Sequence, residues 1–205
     1  MNRIVVLLAV AVFAASAEAQ PVHDKPDIGK GEAIAKQICS ACHGEDGNST
    51  SPANPRLAGQ LPDYIHKQLV NFKAGSERKN VIMLGMVSNL SEADMLNVAT
   101  YYSGQKPKTN PQDKKLPALG RDIYRGGDPS RGLAACAACH GPYGAGLPAN
   151  YPRLAGQSAD YTESQLKAFR SGERSNDANR MMRSVTMKMT DEEISAVASY
   201  IAALP

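Results

Sequence analysis

All four cysteines of this 205-residue chain fall in two five-residue strings, Cys39-Ser40-Ala41-Cys42-His43 and Cys136-Ala137-Ala138-Cys139-His140. Two thiols one helical turn apart can reach the two vinyl groups of a single porphyrin as thioethers, and the histidine that follows then faces the iron from the same side. A thioredoxin-like dithiol has no need of the histidine and belongs in a βαβ pattern, which neither string shows. Zinc takes four ligands, and the other histidines, His23 and His66, have no counterpart between the two strings. Each string is therefore read as a point of covalent haem attachment, giving two haem c groups, with His43 and His140 as axial ligands.

An iron held by one histidine either takes a second ligand from the protein or stays open to small molecules. Methionine in that place raises the reduction potential and gives an electron-transfer centre. The chain has eight methionines, and an internal repeat sorts them. A constant offset of 97 pairs Cys39 with Cys136, His43 with His140, Pro55 with Pro152, Tyr64 with Tyr161, Phe72 with Phe169 and Gly75 with Gly172. Further on the offset is 99, pairing Ser91 with Thr190, Asp94 with Glu193, Val98 with Val197 and Tyr101 with Tyr200. In that register only Met83 and Met182 are methionine in both copies, so they are the expected sixth ligands. Met86 and Met181 are the nearest rivals, because an insertion precedes Met182. The remaining methionines read as adaptable core filler.

Each histidine also needs an acceptor for its other ring nitrogen. Pro55 and Pro152 recur twelve residues after His43 and His140, each opening a shared P-R-L-A-G-Q string. A proline carbonyl is free to accept, since its residue donates nothing of its own. Arg56 and Arg153 could neutralise haem propionates, Tyr64 and Tyr161 could wedge against the haem edges, and His66 reads as a solvated helix residue.

The elements that must position these residues are helical in both copies. GKGEAIAKQIC leads into the first cysteine pair and GRDIYRGG leads toward the second. PDYIHKQLVNFKAG and ADYTESQLKAFRSG each run from a start signal to a glycine stop. The last helices open on Ser91-x-x-Asp94 and Thr190-x-x-Glu193 capping boxes. Behind the caps lie apolar stripes, Met95, Val98, Ala99 and Tyr102 in one and Ile194, Val197, Ala198 and Ile201 in the other. Two domains follow, residues 20–103 and 118–205, joined by a polar, proline-broken linker at 104–117. Each is small and rich in loops, so its own side chains make a thin core that a large apolar cofactor would complete.

Residues 1–19 have a basic start, an apolar run from Ile4 to Ala15 and small residues at Ala17-Glu18-Ala19, the layout of a secretory signal peptide with cleavage after Ala19. No later stretch is apolar enough to span a membrane, so a soluble exported protein is expected. The formal charge of +3 is not the footprint of a nucleic-acid binder, and Lys106, Lys108, Lys114 and Lys115 read as solvating the linker.

From the doubled haem motif, the doubled PRLAGQ string, the Y…Q(L)…F+xG helix and the late methionine, the chain resembles the dihaem cytochrome c4 family from Asp27 to Pro205. The resemblance implies an all-α fold of two tandem class I cytochrome c domains, each wrapped around a covalently attached haem. By match to the family's motifs, Cys39, Cys42, His43 and Met83 would serve one haem, and Cys136, Cys139, His140 and Met182 the other. It also implies a periplasmic electron carrier of a respiratory chain, often loosely membrane-associated, fed by a donor such as a cytochrome bc complex and delivering to a cbb3-type terminal oxidase. One departure is a loop before Met83 shorter than the family pattern. An alternative is an electron-transfer subunit held permanently by a larger enzyme such as a flavoprotein dehydrogenase. A dihaem peroxidase would need an open iron and catalytic side chains beside it, against which the equivalent methionines speak; no catalytic residues are expected.

Overall fold

The computed structural model describes residues 25–108, 118–148 and 151–205, and within them the regular elements are helical, with two isolated β-bridges besides. In the first copy, α1 (Ile28–Ile34) is capped by Asp27, whose carboxylate accepts from the Lys30 amide. It passes through a π-helical turn, Ala35–Cys39, into α2 (Ser40–His43). Then come α3 (Pro62–Ala74), α4 (Val81–Val87) and α5 (Glu92–Ser103). The second copy has α6 (Ala118–Gly126), α7 (Ala137–His140), α8 (Ala159–Ser171), α9 (Met181–Thr186) and α10 (Asp191–Ala202). The reciprocal side-chain and backbone bonds of a capping box form at both Ser91/Asp94 and Thr190/Glu193.

In each copy the first helix crosses the last, α1 on α5 and α6 on α10. A glycine sits at each crossing because the backbones touch there. A Cβ on Gly31 would lie 2.2 Å from the Asn97 carbonyl oxygen, and one on Gly120 would lie 2.1 Å from that of Ala196. Neither neighbour is a movable side-chain end, so an added methyl must push the helices apart. Alanine is intrinsically the better helix former by about 1 kcal/mol, but overpacking outweighs that. Gly120→Ala is expected to destabilise the protein by about 3 kcal/mol, read as a lowered midpoint in denaturant.

The two crossings anchor two separate cores. One gathers Ile65, Leu69, Val87, Met95, Val98 and Tyr102, and the other Ile123, Tyr124, Ile194, Val197, Ile201 and Leu204. Cys39 and Met83 pack against the first core, Cys136 against the second, so the haem-attachment strings stand at the edges of the apolar interiors.

The start of the expected linker is tied down. Lys106 and Lys108 bond to both ends of the Asn48 side chain, at 3.1 and 2.7 Å, and Lys108 pairs with Asp46 at 2.7 Å. The chain thus stays bound to the first domain through Lys108, because a buried Asn48 supplies the bonds that solvent was expected to supply. Residues 109–117 and the expected signal segment, 1–19, lie outside the described residues. No helix among the described residues is long and apolar enough to cross a membrane.

Candidate haem sites

Short helices carry both attachment strings. α2 and α7 end on His43 and His140, which are buried at 8 % and 7 % exposure, and each is followed by a glycine at positive φ, Gly44 and Gly141, that turns the chain away. Nδ1 of His43 donates to the Pro55 carbonyl and Nδ1 of His140 to the Pro152 carbonyl, both at 2.9 Å. A carbonyl can only accept, so these bonds place the proton on Nδ1 and leave the Nε2 lone pair free for a metal. Burial pushes both imidazoles below their ordinary pKa, which keeps them neutral, the form that ligates. The four cysteines are unpaired. Burial raises the Cys39 and Cys136 thiols to about 11.

Around His140 lies a cavity walled by Cys136, Cys139, Met182, Val197 and Ile201. Met182, half-buried on α9, therefore shares a cavity with the second histidine, and so does its neighbour Met181. On α4, Met83 is half-buried against the first core, and the Asn80 side chain caps its amide at 3.0 Å. Met86 is 45 % exposed. The insertion before Met182 is a turn at Ala178–Arg180 in which Asn179 and Arg180 both take positive φ, 52° and 58°. Left-handed backbone is costly for such residues, and here it starts α9 in the register that brings Met182 to the cavity.

The second cavity is not closed by its own domain. Tyr64 and Gln68 of α3 line it from the first, so the second site lies at the domain boundary. That boundary is polar and reciprocal. Arg78 donates to Tyr161 Oη at 2.7 Å, and Arg174 donates to Tyr64 Oη at 3.0 Å. Each guanidinium stacks on a phenylalanine of its own domain, 4.3 Å from the ring centre, Arg78 on Phe72 and Arg174 on Phe169. Both arginines are buried, at 6 % and 7 % exposure. Their other partners are Gln68, Gln165 and Asn176, and among the described residues neither has a carboxylate. Burial pushes the Tyr64 phenol up, yet Arg174 and Arg78 pull it further down, to about 8.

Arg56 and Arg153, read from the sequence as candidates to face haem propionates, make other bonds as well. The Arg56 guanidinium donates to the Lys108 carbonyl at 2.8 Å, where the inter-domain segment begins, and that of Arg153 to the Pro205 carbonyl at 3.3 Å. Arg153 nonetheless lines the second cavity with a buried Nε that has no partner. Tyr64 and Tyr161 both line that cavity and serve as acceptors for the buried cations. His66 differs from its expected solvated place, being half-buried with a buried, unpartnered Nε2; α3 turns that face toward protein.

The fit to haem is good on three counts. The free Nε2 atoms and thiols are the donors that covalent haem takes, the cavity wall is apolar, and the buried guanidiniums lack the anions that a haem's propionates would provide. Among the described residues no three Cys, His, Asp or Glu side chains cluster as a zinc site would require. The sequence matches the cytochrome c family twice, over residues 28–106 and 119–205. The chain belongs to the dihaem cytochrome c4 family. A cytochrome c4 of Azotobacter vinelandii is 44 % identical over 188 residues, covering 85 % of this chain and 90 % of that protein. The crystal structure of reduced recombinant cytochrome c4 from Pseudomonas stutzeri superposes with a TM-score of 0.84 at 41 % identity, covering 88 % of this chain and all of that one. A thiosulfate dehydrogenase electron acceptor of Thiomonas intermedia (strain K12) is 42 % identical over 171 residues, covering 82 % of this chain and 78 % of that protein.

As a cytochrome c4, the chain binds two haem c groups covalently and transfers electrons; it is not an enzyme. The all-α tandem architecture expected from the sequence is that of its relatives. What sequence reasoning passed over is Arg78 and Arg174. Their signal was a Glu-Arg pair after each Phe-x-x-Gly, hidden because the copies slip by one residue there: Arg78 lies three residues after Gly75, Arg174 two after Gly172.

Proposed function

We propose that this cytochrome c4 is an exported periplasmic carrier, taking electrons from a donor such as a cytochrome bc complex and delivering them to a cbb3-type terminal oxidase. His43 and Met83 hold one iron and His140 and Met182 the other, while Cys39, Cys42, Cys136 and Cys139 fix the two porphyrins. The domains are 20–103 and 118–205, after removal of 1–19. Each bound haem supplies a one-electron ferrous–ferric couple. The chain's part is to keep the ligands neutral and fixed, through Pro55 and Pro152, and to exclude water with the two cores. Such fixity keeps reorganisation small when the charge changes.

The observation that supports this reading is the shared boundary, where the first-domain side chains Tyr64 and Gln68 help wall the second site. Kinship to thiosulfate dehydrogenase electron acceptors supports the second reading, an electron-transfer partner of a dehydrogenase; peripheral attachment to the membrane fits either. The test is to mix the reduced, haem-loaded protein with oxidase-bearing membranes and follow reoxidation. Rapid turnover that saturates with protein concentration is expected. Slow reoxidation together with fast reduction by a purified dehydrogenase would replace the carrier reading with the subunit reading.

A further inference from the structure

Each site histidine is bonded to a peptide group that a glutamine of the opposite domain holds from its other side. The Pro55–Arg56 peptide accepts from His43 at its oxygen, and its N–H donates to Gln157 Oε1 at 2.9 Å. The Pro152–Arg153 peptide accepts from His140, and its N–H donates to Gln60 Oε1 at 2.8 Å. Each glutamine is fixed by a return bond, Gln157 Nε2 to the Arg56 carbonyl at 3.0 Å and Gln60 Nε2 to the Arg153 carbonyl at 2.9 Å. Each Oε1 also accepts the next amide in its own chain, Ser158 or Leu61. Two three-member relays therefore cross the boundary in opposite directions.

We infer that Gln60 and Gln157 are positioning residues, each tuning the histidine of the other domain. Hydrogen bonds on the two sides of one amide polarise each other. When the Arg56 N–H donates to Gln157, the Pro55 oxygen becomes more negative and draws harder on the His43 proton. That makes Nε2 a stronger donor, and a stronger donor favours the ferric over the ferrous state and lowers the reduction potential. Gln157 thus sets part of the first haem's potential, and Gln60 part of the second's. The domains are coupled through ligand basicity as well as through contact. The inference rests on His43 and His140 being the axial ligands.

The experiment compares Gln157→Leu and Gln60→Leu in the haem-loaded full chain by redox titration, with each haem followed by its own shifted proton NMR signals. Gln157→Leu is expected to raise the first haem's potential and leave the second's in place, and Gln60→Leu to do the reverse. The equilibrium by which one electron is shared between the haems then shifts severalfold, in opposite directions in the two variants. Gln157→Met and Gln60→Met, which keep the side-chain length, serve if a leucine variant fails to fold. Asn71→Ala removes a different bond across the boundary, that from Asn176 at 2.8 Å, and measures the effect of loosening alone. Potentials that stay fixed, move together, or move as they do in Asn71→Ala overturn the inference. Ligation itself is read separately: loss of histidine-ligand NMR signals in the wild type would overturn the axial assignment, whereas normal signals with unmoved potentials overturn only the relay.

Discussion

Met182→Ala is expected to open the second haem to carbon monoxide, so that the reduced variant binds the gas at half of its haem and the wild type at none. Met181→Ala is expected to leave both haems closed. The two methionines are adjacent on α9 and both touch the second cavity, but neighbours on a helix point about 100° apart, so they cannot serve one iron equally. The repeat decides between them. Met182 aligns with Met83, which packs into the first core, whereas Met181 aligns with Ile82, which is 61 % exposed. Loss of a methionine ligand also lowers the potential of that haem, so the redox titration of Met182→Ala should show one wave displaced downward. Gas binding in Met181→Ala and none in Met182→Ala would exchange the two residues' roles.

Replacing both buried arginines, Arg78→Met with Arg174→Met, is expected to loosen the domain boundary and lower both reduction potentials. Each guanidinium bonds to a tyrosine of the opposite domain and to glutamine side chains. Hydrogen bonds to a charged group contribute about 1.5–3 kcal/mol, so each single variant should lose about 2 kcal/mol of stability. The double variant should depart from the sum, because Arg78 and Arg174 share Gln68 and Gln165 as partners. Methionine retains apolar contact with Phe72 and Phe169, so the loss reports mainly on charge and bonding. A buried cation favours the ferrous state, which is one unit less positive than the ferric. Removing it therefore shifts the potential down. Unchanged potentials with normal haem content would show that these charges face away from both irons.

The chemistry of the sites was legible wherever it is local and repeated. The attachment strings need only five residues, and each proline lies at a fixed distance from its histidine within a string that recurs. The capping boxes were legible for the same reason, since a cap is decided within four residues. Less was legible where meaning depends on the other domain. Gln60 and Gln157 close the same PRLAGQ string, but nothing in one copy says that its glutamine reads the other copy's backbone. α4 and α9 are too short for periodicity to reveal, and α9 begins from a strained turn that has no counterpart in the first copy. The core tyrosines exchange places as well. Tyr102 of α5 donates to the Gly44 carbonyl, while the equivalent Gly141 carbonyl is met by Tyr124 of α6. One structural need is met from opposite ends of the two copies, so a residue-by-residue alignment cannot pair them.

If the protein itself fills both axial positions of both irons, as proposed above, it is a carrier that moves electrons and makes or breaks no substrate bond. The most direct test is the optical spectrum of the reduced, haem-loaded wild type before and after addition of carbon monoxide. An unchanged spectrum is expected. A displaced band on either haem would mean an open iron, and would contradict the assignment of Met83 or Met182 and with it the reading as a pure carrier.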